Sequence, residues 1–287
     1  MTDIPTRKPP KRVISSARIA APARAPSAPK KTFKVQPWRS EGHGEKVIIY
    51  ADTGMGKTSL SILAPKPVFI GLDDGGKKLK HPVTGEPLNF IPDVVTYQDV
   101  RDVLQQPGLF EGYETAVIDT VTILEDLAIP HMLANIPTEK GALVKNIVGY
   151  GYNKGFQHLY DLMKFILVDC DALIHKGKNV VLIAQAAPNK VSNPGGEDYL
   201  REGPRLYAGK PSIEALYCEW ADHILRIDYP NVWSKDKKAS GDTTSRVVYT
   251  KPEVYFRAKS RTINHPVIEF ADTSDGGVWD FMFGKVK

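Results

Sequence analysis

The residues best suited to chemistry lie in the segment ADTGMGKT, from Ala51 to Thr58, where two glycines precede a lysine and a threonine. It fits the phosphate-binding loop pattern A/G-x-x-x-x-G-K-S/T, with alanine in place of the usual first glycine. Gly54 and Gly56 allow backbone N–H groups to curl around phosphate oxygens. Lys57 can reach the β- and γ-phosphates, and the Thr58 hydroxyl can bind Mg²⁺. The predicted nucleotide-binding residues are Ala51, Asp52, Thr53, Gly54, Met55, Gly56, Lys57, Thr58 and Ser59.

Two acidic positions follow apolar segments further along the chain. Asp119 ends the run YETAVID, and an aspartate so placed downstream of a phosphate-binding loop has the position of a Walker B carboxylate, which supports Mg²⁺, usually through water. Asp74, or its neighbour Asp73, follows the strand PVFIGL, which we expect beside the strand that carries the loop. We rank Asp74 first as the group that orients or deprotonates the attacking water. The alternative is that one of the two only caps a turn.

Gln185 ends a third apolar run, NVVLIA, as a neutral polar residue. An amide there can hydrogen-bond to a γ-phosphate or to water, and can couple the state of the nucleotide to the segment that follows. The alternative is an ordinary turn-forming glutamine.

The segment RAKSR, Arg257 to Arg261, is the last candidate. On a strand, Lys259 and Arg261 would share one face. Cations at that spacing could complete a nucleotide site in a neighbouring subunit, in trans. A solvated basic edge strand is an equally good interpretation.

The elements that must position these residues alternate between strand and helix, which predicts a parallel sheet covered on both faces. In such sheets ligands bind beyond the carboxyl ends of the strands, where the three aspartates and the glutamine fall. A polar, glycine-bearing loop is expected at Ala186–Pro204, and an antiparallel meander near the C-terminus. The expected strands are Lys46–Tyr50, Pro67–Leu72, Val94–Thr96, Tyr113–Asp119, Asn179–Ala184, His223–Ile227, Arg246–Tyr249, Val254–Lys259 and Val267–Phe270. The expected helices follow the phosphate loop to Leu63 and occupy Gln98–Leu104, Thr120–Leu133, Gly155–Ile174 and Ile213–Trp220.

The charge of the 287-residue chain is unevenly distributed. Residues 1–40 hold ten Lys/Arg against one Asp, a charge of +9, which leaves −4 on the rest of a chain whose net charge is +5. We expect residues 1–40 to be a disordered basic arm and residues 41–287 to be one ATPase domain. The arm could hold nucleic acid by counterion release, or could be a solubilising tail.

The two cysteines are too few for a disulfide framework, and no apolar run approaches the roughly 18 residues needed to span a bilayer. We therefore expect core thiols, a cytoplasmic setting and no membrane association.

Taken together, these residues resemble a RecA-core ATPase. The chain is most similar to phage P-loop proteins described as RecA-like single-strand annealing recombinases or as phage AAA-domain nucleotide-binding proteins. The resemblance covers about residues 44–270, and the order and spacing of its motifs carry it. The motifs are YADTGMGKTSL, PVFIGLDDGG, AVIDTVTILEDL, GYGYNKGFQ, NVVLIAQ, EWADHIL and RAKSRTINHP.

The resemblance implies a RecA-like P-loop NTPase core that binds ATP and Mg²⁺ and hydrolyses ATP. It implies a homo-oligomer, ring or filament, with ATP at the subunit interface, that acts on single-stranded DNA in strand annealing or exchange. A single-strand DNA-binding protein is a further candidate partner, and a phage-encoded protein would work in the bacterial host cytoplasm. The implied catalytic residues are Lys57, Asp74, Asp119, Gln185, Lys259 and Arg261; the metal residues are Thr58 and Asp119; the DNA-binding residues are Lys190, Arg201 and Arg205.

The chain departs from the family pattern at two places. Asp74 stands where the family typically has glutamate, and Gln185 where relatives often have histidine. Two alternatives stay open: a non-enzymatic single-strand binding or annealing protein that nucleotide merely orders, and a helicase-loader-like ATPase. A small-molecule kinase is weaker, because we find no arginine-bearing lid segment.

Overall fold

The structure is a computed structural model that describes residues 33–35, 37, 42–73, 75–230 and 245–284. Its contacts divide the chain into residues 1–39 and residues 40–287, and the second unit is the subject here. Nearly all of the predicted basic arm lies outside the described residues, and so does Asp74.

A nine-stranded sheet organises the unit. Its strands are β1 Lys46–Ala51, β2 Pro67–Gly71, β3 Thr115–Asp119, β4 Asn179–Val191, β5 Tyr199–Pro204, β6 His223–Asp228, β7 Arg246–Tyr249, β8 Lys259–Ser260 and β9 Val267–Phe270. Seven of them follow the order β2-β3-β4-β1-β6-β7-β9. The first five in this order are mutually parallel, and the pairs β6–β7 and β7–β9 are antiparallel. The predicted α/β class, with a mainly parallel sheet and antiparallel strands near the C-terminus, is confirmed.

Helices cover both faces of the sheet, as the unbroken apolar strands require. They are α1 Lys57–Ile62, α2 Tyr97–Gln105, α3 Val121–Asn135, α4 Lys154–Ile174, α5 Ile213–Trp220 and α6 Gly277–Met282, with 3-10 turns at Gly75–Lys78 and Ile147–Tyr150. Alternation along β1 sends Ile48 and Tyr50 into the core shared with α2, α3, α4 and α5, and Val47 and Ile49 into the core shared with α1 and α6. Within the described residues, no helix is both long and apolar enough to cross a membrane.

The prediction of a loop at Ala186–Pro204 is wrong, because most of this segment forms an antiparallel hairpin. After Gln185 the long strand β4 leaves its parallel neighbours and pairs antiparallel with β5, from Ala186 opposite Pro204 to Val191 opposite Tyr199. The tip at 192–198 is all that remains of the loop. The strand continues because β5 supplies new hydrogen-bond partners where β1 and β3 end.

Two short predicted strands are also wrong. Val94–Thr96 is not a strand, because Thr96 caps α2 in a reciprocal hydrogen-bonded box with Asp99. Of the predicted strand Val254–Lys259, only Lys259 belongs to a strand, β8. The preceding residues bond instead to β5, where the Glu202 N–H donates to the Tyr255 carbonyl oxygen at 2.7 Å. Both cysteines are free and buried, as expected of core thiols.

Candidate nucleotide-binding site

The predicted phosphate loop connects the end of β1 to the start of α1. Gly54 and Gly56 have φ values of 83° and 93°, in the left-handed region that favours glycine. Gly56 is tightly enclosed as well, since a Cβ there would lie 2.6 Å from Nη1 of Arg246 and 2.9 Å from the Phe270 ring. The turn therefore needs glycine at position 56 for both its conformation and its neighbours.

Lys57 is folded into the concave side of this loop and is 7% exposed. Its ammonium donates to the carbonyl oxygens of Ala51 at 3.0 Å and Asp52 at 2.8 Å, and to Oε1 of Gln185 at 3.0 Å. Burial lowers the pKa of Lys57, while the charges of Asp119, Asp52 and Asp73 act to raise it. The direct acceptors of this cation are neutral oxygens, which suits the arrival of a phosphate.

Thr58 and Asp119 meet where α1 begins and β3 ends. The Thr58 hydroxyl donates to Oδ2 of Asp119 at 2.8 Å. Burial raises the pKa of Asp119 from 3.8 to about 6, with the charge of Asp73 adding to the effect and the Thr58 hydrogen bond and Lys57 opposing it. A hydroxyl and a carboxylate are hard oxygen donors, and Mg²⁺ takes one or two such protein groups together with phosphates and water. The donor set therefore fits Mg²⁺.

Gln185 lies beside the loop, in register with Ala51 across the β1–β4 pair. While its side chain contacts Lys57, its backbone contacts the base of the β4–β5 hairpin. The Gln185 N–H donates to the Thr122 hydroxyl at 3.1 Å, that hydroxyl donates to the Arg205 carbonyl oxygen at 3.1 Å, and the Arg205 N–H donates back to the Gln185 carbonyl oxygen at 2.7 Å. One residue thus joins the phosphate loop to the hairpin.

The strand before Asp73 and Asp74, β2, was expected beside β1, and this prediction is wrong. β2 pairs with β3, and both β3 and β4 separate it from β1. Asp73 is exposed, and its Oδ1 accepts the Gly75 N–H at 2.9 Å, so this aspartate caps a turn, as the alternative interpretation had it. It still acts on the site through its charge, which raises the pKa of Asp119. Asp74 lies outside the described residues, and its role stays a prediction.

A cavity of about 490 Å³ opens beside Asp119 at the edge of the sheet. Its lining combines the charged Asp73 and Lys77 with apolar side chains such as Phe90 and Leu79. Segment 89–91 closes its outer side by bonding to Phe69 of β2.

Lys259 and Arg261 lie away from their own phosphate loop. Lys259 pairs with Ile224 of β6, and Ile224 in turn pairs with Ile48 in the first half of β1. The phosphate loop, in contrast, follows the last residue of β1. The Lys259 ammonium donates to carbonyl oxygens that end α5, those of Cys218 at 3.2 Å, Glu219 at 3.4 Å and Ala221. Arg261 donates to Oδ1 of Asp222 at 2.6 Å. Their predicted action on a neighbouring subunit stays a prediction.

The three predicted DNA-binding cations all lie on the β4–β5 hairpin or at its base. Lys190 forms an ion pair with Asp198 at 2.8 Å. Arg201 lies over the Tyr199 ring, 5.4 Å from its centroid, and donates to the Val254 carbonyl oxygen at 3.3 Å. Since Arg201 pairs with Asn189, one position before Lys190, the two side chains leave opposite faces of the hairpin.

Three residues near the loop were missed by the sequence argument. Arg246 donates from Nη1 to the Met55 carbonyl oxygen at 3.1 Å and stacks on Phe270, 4.6 Å from its centroid. Trp279 donates from Nε1 to the Leu60 carbonyl oxygen, within α1, at 2.8 Å. In the sequence, Arg246 stands out only as the charged first residue of the strand RVVY. No sequence pattern links that strand to a loop that lies 191 positions earlier.

The comparisons with known proteins place the chain in a family. The family model described as AAA domain matches residues 43–262, well over half of the chain, and the chain belongs to that family. Among curated proteins, none matches. Among solved structures, the chain is similar to the crystal structure of the RadB recombinase, with 12% identity and a TM-score of 0.38 over 72% of this chain and 80% of that one.

Proposed function

We propose that this AAA-domain protein is a Mg²⁺-dependent ATPase that works on single-stranded DNA as an oligomer. The observation that carries the proposal is the convergence of Lys57, Thr58, Asp119 and Gln185 at the carboxyl ends of three adjacent parallel strands. A buried ammonium, a hydroxyl paired with a carboxylate, and an amide on the ammonium are the groups that phosphoryl transfer from ATP requires.

Each group has a distinct task. Lys57 exchanges its loop carbonyl partners for the β- and γ-phosphates, which are stronger acceptors because they carry charge. Thr58 and Asp119 would hold Mg²⁺, which would neutralise charge on the phosphate oxygens. Gln185 loses its acceptor contact with the ammonium when a phosphate takes its place, and its amide is then free to orient towards the γ-phosphate or water.

The route from nucleotide to DNA runs through Gln185 into the β4–β5 hairpin. Its side chain contacts the ammonium of the phosphate loop, and its backbone holds the hairpin base through Thr122 and Arg205. The hairpin carries Lys190 and Arg201 on opposite faces, so a DNA strand that follows one face would contact only one of these two side chains. The RecA-core resemblance of the motifs supports strand annealing or exchange as the process served.

The decisive test is ATP hydrolysis by the wild type and by Lys57→Ala. We expect the substitution to abolish hydrolysis, because it removes the ammonium that contacts the loop carbonyl oxygens and Gln185. Lys154→Ala is the matched control, since Lys154 is a surface lysine whose partner is the exposed Glu139. Unchanged turnover in Lys57→Ala would reject the assignment, and nucleotide-dependent DNA binding without turnover in the wild type would favour the non-enzymatic alternative.

Completion of the site in trans is tested by mixing inactive variants. Lys259→Ala should bind ATP without hydrolysing it, and mixing it with Lys57→Ala should restore part of the activity, because some interfaces then combine an intact loop with an intact lysine. Lys251→Ala is the control, because Lys251 also donates to a backbone carbonyl nearby, that of Ser260 at 3.2 Å. An absence of rescue would show that Lys259 serves only α5 of its own chain.

DNA binding by the hairpin is tested by the salt dependence of affinity. Arg201→Ala should weaken binding to single-stranded DNA and lower the slope of log affinity against log salt by about 0.7 for each lost phosphate contact. Lys176→Ala, at the far end of α4, is a lysine control away from the hairpin. Equal slopes for wild type and Arg201→Ala would exclude that arginine from the DNA interface.

A further inference from the structure

Three elements that follow β6 in the chain contact the phosphate loop and helix α1. β7 supplies Arg246, β9 supplies Phe270 and α6 supplies Trp279, and these side chains contact Met55, Gly56 and Leu60, respectively. Phe270 and Trp279 lie beyond residue 262, where the family match ends. A part of the chain outside the matched region therefore touches the site.

The contact from Arg246 constrains one particular peptide. Its Nη1 donates to the carbonyl oxygen of Met55, and the Met55–Gly56 peptide is trans and planar. In such a peptide the N–H points opposite to the carbonyl, so the Gly56 N–H points away from Arg246. Within the residues that the structure describes, this N–H has no protein acceptor. It is therefore available to a phosphate oxygen.

Phe270 keeps the arginine in place. The guanidinium lies 4.6 Å from the ring centroid, and both groups crowd the position where a Gly56 Cβ would stand. A stacked planar guanidinium loses little freedom when it donates, which makes its hydrogen bond directional.

We infer that Arg246, held over the Phe270 ring, is a positioning residue of the nucleotide site that aims the Gly56 N–H at the phosphates of the bound nucleotide. The inference rests on the proposed function, since it presupposes that the loop binds nucleotide. Arg246 acts through the Met55–Gly56 peptide, and its loss lowers affinity for any ligand that presents adjacent phosphates.

The test is fluorescence titration with mant-ADP, followed by competition with pyrophosphate. Arg246→Gln should raise the Kd for mant-ADP about tenfold, because the Gly56 N–H then no longer points at a charged phosphate oxygen, and a hydrogen bond to a charged group is worth at least that factor. The pyrophosphate inhibition constant should rise by the same factor, since the effect acts on phosphates and not on the nucleoside. The mant-ADP Kd of Arg246→Lys should lie between those of the wild type and Arg246→Gln. A lysine ammonium can still donate to the Met55 carbonyl oxygen, but it lacks the planar guanidinium that lies over the Phe270 ring.

Arg101→Lys is the matched control. Arg101 also stacks on a phenylalanine, 5.1 Å from the Phe165 centroid, but on the α2–α4 face and paired with Asp169. Its mant-ADP Kd should stay within about twofold of the wild type.

Three results would overturn the inference. The mant-ADP Kd of Arg246→Gln could equal that of the wild type, the pyrophosphate inhibition constant could fail to rise with the mant-ADP Kd, or Arg101→Lys could raise the mant-ADP Kd as much as Arg246→Gln does. If Arg246→Gln does not fold, Arg246→Lys decides: a raised Kd at an unchanged melting temperature supports the inference, and an unchanged Kd refutes it. A wild type that fails to bind mant-ADP would instead refute the proposed function.

Discussion

Replacing Asp119 by asparagine should separate function from stability in this protein. Asp119 is 6% exposed, and its pKa is raised from 3.8 to about 6 by burial. At about 1.4 kcal/mol per tenfold change in the proton equilibrium, that rise corresponds to about 3 kcal/mol. In the absence of Mg²⁺ and nucleotide, the ionised carboxylate therefore destabilises the fold at neutral pH.

The sign follows from proton linkage. A carboxyl whose pKa is higher in the folded than in the unfolded protein binds protons more tightly when folded, so the stability it contributes is present at low pH and is lost as pH rises from about 4 to about 7. Relative to Asp119→Asn, the wild type should lose up to about 3 kcal/mol of unfolding free energy over that range. Asparagine keeps an oxygen acceptor for the Thr58 hydroxyl and does not titrate.

The assay is urea unfolding of both proteins from pH 4 to pH 7.5 with a metal chelator and no nucleotide. Taking the difference between the two proteins removes the contributions of all other titrating groups. Asp99→Asn is a control of opposite sign, because hydrogen bonds from the Thr96 hydroxyl and the Val95 N–H lower the pKa of that exposed carboxyl. If the difference in unfolding free energy between the wild type and Asp119→Asn changes by less than about 1 kcal/mol from pH 4 to pH 7.5, burial does not raise the pKa of Asp119 as described.

Three further outcomes follow from single contacts. Gln185→Ala should bind ATP with an affinity within a fewfold of the wild type, but single-stranded DNA should no longer stimulate its ATP hydrolysis. DNA-stimulated hydrolysis at the wild-type level would exclude the proposed route through Gln185 to the hairpin. Asp169→Asn should cost about 1.5–3 kcal/mol in urea unfolding, because it removes the negative charge from a partly buried ion pair with Arg101 at 2.7 Å; a loss below about 0.5 kcal/mol would show that pair to be solvated. Trp279→Phe should cost about 1 kcal/mol through the lost hydrogen bond to Leu60, and a melting temperature equal to the wild type would contradict that contact.

The convergence of residues at the candidate nucleotide site was largely predictable, because its parts are local motifs joined by one topological rule. ADTGMGKT defines its own turn, and AVID and NVVLIAQ are apolar strands that end in a polar residue. Parallel strands bring their carboxyl ends to one edge, and there the structure joins Lys57 to Gln185 and Thr58 to Asp119.

Strand order was less accessible, because buried parallel strands have similar apolar sequences and do not encode their neighbours. The strand before Asp73 was expected beside β1, but β4 takes that position through its parallel pairing with both β1 and β3. The β4–β5 hairpin was missed for a related reason: its polar, glycine-bearing residues are typical of a loop, and only the pairing partner makes them strands.

Contacts between distant segments were least accessible of all. Arg246 reaches Met55 across 191 positions of sequence, and neither residue belongs to a recognisable motif with the other. Lys259 illustrates the converse, since its motif suggested a role across an interface, whereas within its own chain it binds the carbonyl oxygens that end α5.

The most direct test of the central claim is a crystal structure of the protein with Mg²⁺ and a slowly hydrolysed ATP analogue. We expect the Lys57 ammonium to have left the Ala51 and Asp52 carbonyl oxygens for the β- and γ-phosphates, and we expect Thr58 and Asp119 to hold the Mg²⁺. An analogue bound away from this loop, or a Lys57 that keeps its carbonyl partners with the analogue present, would contradict the account.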